Sequence, residues 1–176
     1  LCNDESIVFF DIDNRIEGLK YKSNTVENVI SRINESGKRI VVFNFENIEL
    51  SNTDLVGTGA KVYIYDANTD ELLNVYTVVL YGDVNGDGLI NEVDQEIITG
   101  VATCKSKIDN QWFLMAADTN HDGAVDGFDV IETELQSLDM HNIEQKNNNA
   151  YLPKDEGDES KPEINEEDPD GDGWWG

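Results

Sequence analysis

The chain has 176 residues, enough for one or two small domains, and sets 12 Lys and Arg against 37 Asp and Glu for a net charge of −25. That charge argues against nucleic acid or an anionic membrane as a partner. No apolar run reaches the roughly 18 residues of a membrane span, so no insertion is expected. Leu1-Cys2-Asn3-Asp4-Glu5-Ser6 has no signal-peptide pattern, so the chain reads as a processed product or a piece of something larger. Cys2 and Cys104 are the only cysteines. Sequence does not set their separation, so two free thiols are expected, with a bridge as the alternative.

Residues 6–13 are rich in β-branched and aromatic side chains and read as a strand. Residues 14–21 form a turn or short strand. Asn24 or Thr25 then caps a helix whose Val26, Val29, Ile30 and Ile33 make one apolar stripe, and Ser36-Gly37 ends it. Residues 38–45 are a second strong strand, and residues 47–53 a short strand and turn. Val56-Gly57-Thr58-Gly59 is a glycine turn. Residues 61–66 and 72–81 pair as a hairpin across Asp66-Ala67-Asn68-Thr69-Asp70. Residues 1–81 therefore read as a small β-rich, sandwich-like module with one helix. It has no histidine, no nucleophile–base arrangement and no phosphate loop, which argues against an enzyme. Asp11, Asp13 and Asp66 read as turn or surface carboxylates.

A different pattern begins at Asp83. In Asp83-Val84-Asn85-Gly86-Asp87-Gly88-Leu89-Ile90-Asn91-Glu92-Val93-Asp94, oxygen-bearing side chains fall at positions 1, 3, 5, 9 and 12, with glycine at position 6. That spacing lets a twelve-residue loop wrap calcium, a hard cation that takes six to eight oxygens. The pattern returns in Asp118-Thr119-Asn120-His121-Asp122-Gly123-Ala124-Val125-Asp126-Gly127-Phe128-Asp129. The first ligand set is Asp83, Asn85, Asp87, the Leu89 carbonyl, Asn91 through a water, and Asp94. The second is Asp118, Asn120, Asp122, the Ala124 carbonyl, Asp126 and Asp129. Ile90 and Val125 hold position 8, where paired loops bridge by a strand-like contact, and His121 sits where side chains point to solvent. Without metal the carboxylates repel, so binding and folding should be coupled. Two ions, each at a hundred times its dissociation constant, would add about 5 kcal/mol.

Only Gly82 separates the last strand from the first loop, so a single rigid unit is expected across the junction. After that loop Val93, Ile97, Ile98 and Val101 mark a helix that stops near Gly100. A second helix over residues 108–117 enters the second loop and supplies Trp112, Phe113, Met115 and Ala116 to the core. Phe128, Ile131, Leu135 and Leu138 then form a stripe expected to bury against the other helix.

A calcium loop with a following helix, repeated within about sixty residues and ending in Asp rather than Glu at position 12, resembles a type I dockerin. The similarity covers residues 82–143, an all-α segment of two loop–helix repeats. The preceding module resembles the small β-rich modules that accompany dockerins, through its glycine turn and the strand ending in Tyr81-Gly82-Asp83. The resemblance implies two calcium ions and a non-catalytic adaptor that binds a cohesin module on a scaffoldin. It would thereby anchor its parent, a carbohydrate-active enzyme or a scaffoldin, in a secreted or surface-bound polysaccharide-degrading complex (a cellulosome or amylosome) of an anaerobic bacterium. The alternative is a calcium-stabilised EF-hand-like module with no cohesin partner.

The resemblance also places partner contacts at loop positions 10 and 11 and along the following helices: Glu92, Val93, Ile97, Gly127, Phe128 and Ile131. Glu92-Val93 and Gly127-Phe128 differ in charge and bulk, so one binding orientation should dominate. Glu132 stands where the family commonly has an apolar residue. Residues 144–176 set three Lys against eleven carboxylates and read as an acidic linker or tail. Within it Asp168, Asp170, Asp172 and Gly173 match positions 1, 3, 5 and 6 of a third calcium loop. The cost of leaving Trp174 and Trp175 in water favours a tail that packs those rings on an apolar patch instead.

Overall fold

The structure is a computed structural model that describes residues 7–33 and 36–147. Five strands form one sheet: β1 (Val8–Phe10), β2 (Arg15–Glu17), β3 (Lys38–Phe43), β4 (Lys61–Asp66) and β5 (Leu72–Val78). Their order is β1-β2-β5-β4-β3, antiparallel except for the β2–β5 pair. Alternation decides which face is covered. Val42, Val62, Ile64, Tyr76 and Val78 point to one side, where Val26, Val29 and Ile33 of α1 (Val26–Ile33) pack on them. The two-sheet sandwich expected from sequence is therefore replaced, among the described residues, by one sheet with a helix as its second layer. On the other side the rings of Tyr63 and Tyr65 stack, and the Arg39 guanidinium lies 4.3 Å from the centre of Tyr65.

Thr25 caps α1, its hydroxyl accepting from the Asn28 amide at 3.4 Å. Asn24, the other candidate cap, is buried and serves elsewhere. Asp66 turns the β4–β5 hairpin as expected, accepting from the amides of Asn68 and Thr69. Asp11 accepts from the Tyr76 hydroxyl at 2.8 Å, and Asp13 pairs with Arg15.

The last strand stops at Val78, short of Tyr81, because other partners take the backbone beyond it. The Leu80 amide bonds the Thr58 hydroxyl, and the Tyr81 amide bonds the Gln145 side chain. The Val79 amide still bonds the Ile16 carbonyl of β2, but the side chains of Val79 and Tyr81 enter a second core with Val84, Ile90, Ile98, Met115, Ala116 and Ile143. Around it lie α2 (Glu92–Ala102), α3 (Gln111–Ala117) and α4 (Gly127–Ser137). Helix α2 runs through Gly100 to a cap at Thr103, and α3 begins only after its Asn110 cap. Cys104 is exposed with a free thiol, while Cys2 lies outside the described residues.

Helix α4 departs from expectation. Its buried residues are Asp129, Thr133 and Gln136, whereas Phe128 is 67% exposed, Ile131 52% and Leu138 59%. Three of the four residues of the apolar stripe read as core face outward, and Leu135 is half-buried. The loop requires Asp129 to turn inward, and residues four and seven positions later must follow it to the same face.

Residues 144–147, expected to begin the tail, lie in the seam between the modules. Gly18 donates to the Gln145 carbonyl at 2.8 Å, and the Asn147 amide donates to Glu17 at 2.6 Å. The partial motif at Asp168–Asp172 and the two neighbouring tryptophans lie outside the described residues.

Candidate functional site

The two acidic loops share most of their internal hydrogen bonds. The position-6 amides of Gly88 and Gly123 each donate to the position-1 carboxylates of Asp83 and Asp118 at 3.0 Å. The position-2 amides, Val84 and Thr119, reach position 12 at Asp94 and Asp129. Asn85 and Asn120 accept from the amides of Asp87 and Asp122. Those aspartates in turn accept from Leu89 and Ala124, the residues whose carbonyls are the proposed ligands. Glycine is needed at position 6 because the chain turns there through φ of 78° at Gly88 and 92° at Gly123.

Position 9 does a second job in both loops. Asn91 and Asp126 cap α2 and α4 by accepting from Val93 and Phe128, while Asp94 and Asp129 return bonds to the cap amides. Both helices therefore start with a capping box, an arrangement that satisfies free amides and suits negative charge at a helix start. Here aspartate, not the commoner Glu or Gln, fills the third helical position.

Four aspartates are almost wholly buried: Asp83, Asp94 and Asp129 at 0% exposure and Asp118 at 2%. Burial pushes Asp83 up to about 7, with the nearby Asp94 charge adding to it against the amides of Thr58, Gly86 and Gly88. Burial likewise raises Asp94 and Asp118 to about 6, and Asp129 upward. Among the described residues no Lys or Arg forms an ion pair with any of them. Also among the described residues, no three Asp, Glu, His or Cys side chains are gathered into a metal cage, and the loop carboxylates hold loop amides instead. Even so the donor set fits one class of ligand. It is oxygen throughout, its buried carboxylates lack a positive partner, and a hard divalent cation supplies that charge. Asp83, Asn85, Asp87, Asn91 and Asp94, and Asp118, Asn120, Asp122, Asp126 and Asp129, are the side chains that could hold such ions.

Two loop expectations fail. Among the described residues Ile90 and Val125 make no backbone bond to each other. The Tyr21 hydroxyl takes both the amide and the carbonyl of Ile90, each at 3.0 Å. His121 does not simply face solvent. Its Nε2 lies 2.9 Å from the Glu144 carbonyl, and its ring meets Tyr81 edge-on at 4.3 Å.

The candidate partner residues share one property, solvent access. Val93 is 52% exposed, and Glu92 and Gly127 are exposed as well, while Ile97 is half-buried. Phe128 and Ile131 continue along α4 toward Leu138 and Met140, the last 73% exposed. Glu132 is half-buried, with its carboxylate 3.6 Å from His141.

Sequence reasoning missed the residues that brace the first loop from outside it. The Thr58 amide donates to Asp83 at 2.9 Å. The Asn24 side-chain amide donates to the carbonyls of Val56 and Gly88 at 2.9 and 2.8 Å. A polar side chain next to a helix start reads as a cap, so nothing local marked Asn24 as a loop brace.

No helix among the described residues is long and apolar enough to cross a membrane. No curated protein and no solved structure matches the chain. Residues 81–132, from the end of the last extended segment through the first half of α4, match the family model of the type I dockerin domain.

Proposed function

We propose that residues 82–143 form a non-catalytic, calcium-dependent adaptor that docks on a cohesin module of a scaffoldin. In doing so it anchors its parent protein in a polysaccharide-degrading complex outside the cell. The observation that carries this reading is the outward apolar ridge of α4 above buried aspartates that, among the described residues, no Lys or Arg pairs with. Phe128, Ile131, Leu138 and Met140 stand in water at a cost that burial against a partner's surface would relieve. Two calcium ions, one per loop, would be held by the residues named above. Their charge would replace carboxylate repulsion and fix the starts of α2 and α4 from which the ridge projects. Phe128 is the anchor on the α4 side and Val93 its smaller counterpart on α2.

The deciding experiment is a pull-down from the secreted proteins of the source organism, with calcium and with EDTA. Recovery of a cohesin-bearing protein in calcium alone supports the reading, and equal recovery in both defeats it. Against the recovered cohesin, Phe128→Ala should weaken binding by about 2 kcal/mol or more, and Val93→Ala by less than about 1. Equal small losses would remove the single-orientation idea.

A further inference from the structure

We propose that the first metal site is shared between the two modules. Tyr21, Asn24 and the Gly57–Thr58 turn are positioning residues that hold the first loop ready for its ion, whereas the second loop is met from outside at His121, and among the described residues no hydrogen bond from residues 1–81 reaches one of its proposed ligands. The inference rests on reading both loops as calcium sites and goes beyond it in assigning outer-shell residues from a different part of the chain.

Three contacts carry it. First, Asp83 accepts three backbone amides, from Gly86 and Gly88 within its own loop and from Thr58 outside it. Asp118 accepts two, from Asp122 and Gly123, both within its loop. Second, the loop backbone is gripped on both sides of Leu89, whose carbonyl is a proposed ligand. Asn24 holds the Gly88 carbonyl, and the Tyr21 hydroxyl holds the amide and carbonyl of Ile90. Third, the fit leaves no space. A Cβ on Gly57 would sit 2.5 Å from the Asp83 carboxylate, the Gly86 carbonyl and the Gly88 amide alike. Groups that hydrogen-bond a ligand set its orientation, and their loss typically costs about 10–100-fold in metal affinity. Here those groups belong to the helix-bearing β module, so that module sets the affinity of one ion and not of the other.

Each site has its own reporter, since the Gly88 amide bonds Asp83 and the Gly123 amide bonds Asp118. The full chain is titrated with calcium while both glycine amides are followed by NMR. In Tyr21→Phe and Asn24→Ala the Gly88 midpoint should move to about tenfold higher free calcium or more. The Gly123 midpoint should stay within about twofold. Gly57→Ala should act in the same direction and more strongly, and if it does not fold, Tyr21→Phe decides. A merely structural role would shift both midpoints together, and that result overturns the inference, as would no shift of either. If neither glycine responds to calcium in the unmodified chain, the calcium reading itself falls. If both respond but the variants move them equally, that reading stands and only the shared site is lost.

Discussion

The two acidic loops match in spacing and in most of their internal bonds, yet they sit in different surroundings. The first is pressed into the β module. Its Asp83 meets the Thr58 amide, its Gly88 carbonyl meets Asn24, and its Ile90 backbone meets Tyr21. The second meets the rest of the chain through His121, against Tyr81 and the Glu144 carbonyl, and through Val125, which packs on the second core. The same twelve-residue pattern thus serves once as a braced junction against the β module and once as a loop carrying a helix with an open apolar ridge. Identical ligand chemistry does not make identical sites, because the groups around a carboxylate decide how much its burial costs and what holds it in place.

The largest expected effect comes from removing the first ligand of each loop in turn, with calcium present. Asp83→Ala and Asp118→Ala should each lose one ion, about 3 kcal/mol at a hundredfold excess over the dissociation constant. Asp83→Ala should lose about 1–3 kcal/mol more, since the buried Thr58 amide then has no acceptor. Urea unfolding of both variants measures this, and equal losses would erase the difference between the loops.

A smaller effect should follow pH in EDTA. The folded-state values of Asp83, about 7, and of Asp94 and Asp118, about 6, lie above the ordinary carboxylate value. A group raised on folding stabilises the fold fully below its unfolded pKa, and that contribution is lost as pH rises through the folded value. The metal-free chain should therefore lose stability as pH rises from the ordinary carboxylate value of 3.8 to the folded Asp83 value of about 7, and level off above it. Calcium, which needs the ionised form, should cancel the trend. Asp83→Asn should flatten the upper part of the curve more than Asp118→Asn. A metal-free stability that is level or rising across that window would break the argument.

Local pattern carried much of this into view from sequence. Period-two alternation at Val62 and Ile64, and the Val26, Val29, Ile33 stripe, give the sheet face and the helix that covers it. The oxygen spacing of the loops, their position-6 glycines and their following helices are likewise local. What escaped was set by distant partners. The α4 stripe has the spacing of a core face, yet Asp129 and Gln136 take the inside, because the loop fixes the helix rotation before hydrophobicity can. Tyr21 lies 69 residues from Ile90, and Asn24 lies 64 from Gly88, separations over which no periodicity carries a signal. Residues 144–147, Glu-Gln-Lys-Asn, are polar like the segment after them, and only their hydrogen bonds to Gly18, Tyr81 and Glu17 place them in the fold.

The smallest effect tests that last segment, where both halves of the comparison meet. The Gln145 side chain accepts from the Tyr81 amide at 2.8 Å and donates to the Tyr81 carbonyl at 2.9 Å, as a neighbouring strand would. Tyr81 is wholly buried, and two residues later the chain reaches Asp83. On its other side Glu144 offers its carbonyl to His121 of the second loop. Gln145→Ala deletes both bonds and leaves two buried backbone groups unmatched, for a loss of about 1–2 kcal/mol after partial rescue by water. Gln145→Glu keeps the acceptor for the Tyr81 amide but sets a carboxylate against the Tyr81 carbonyl, so it should be no better than alanine at neutral pH. The sharper readout is hydrogen exchange. The Tyr81 amide should exchange much faster in Gln145→Ala, while the amide of Val62, inside the sheet, keeps its rate. If both rates rise together, the segment is one part of a single cooperative unit; if Tyr81 alone changes, it is a separable clasp over the seam.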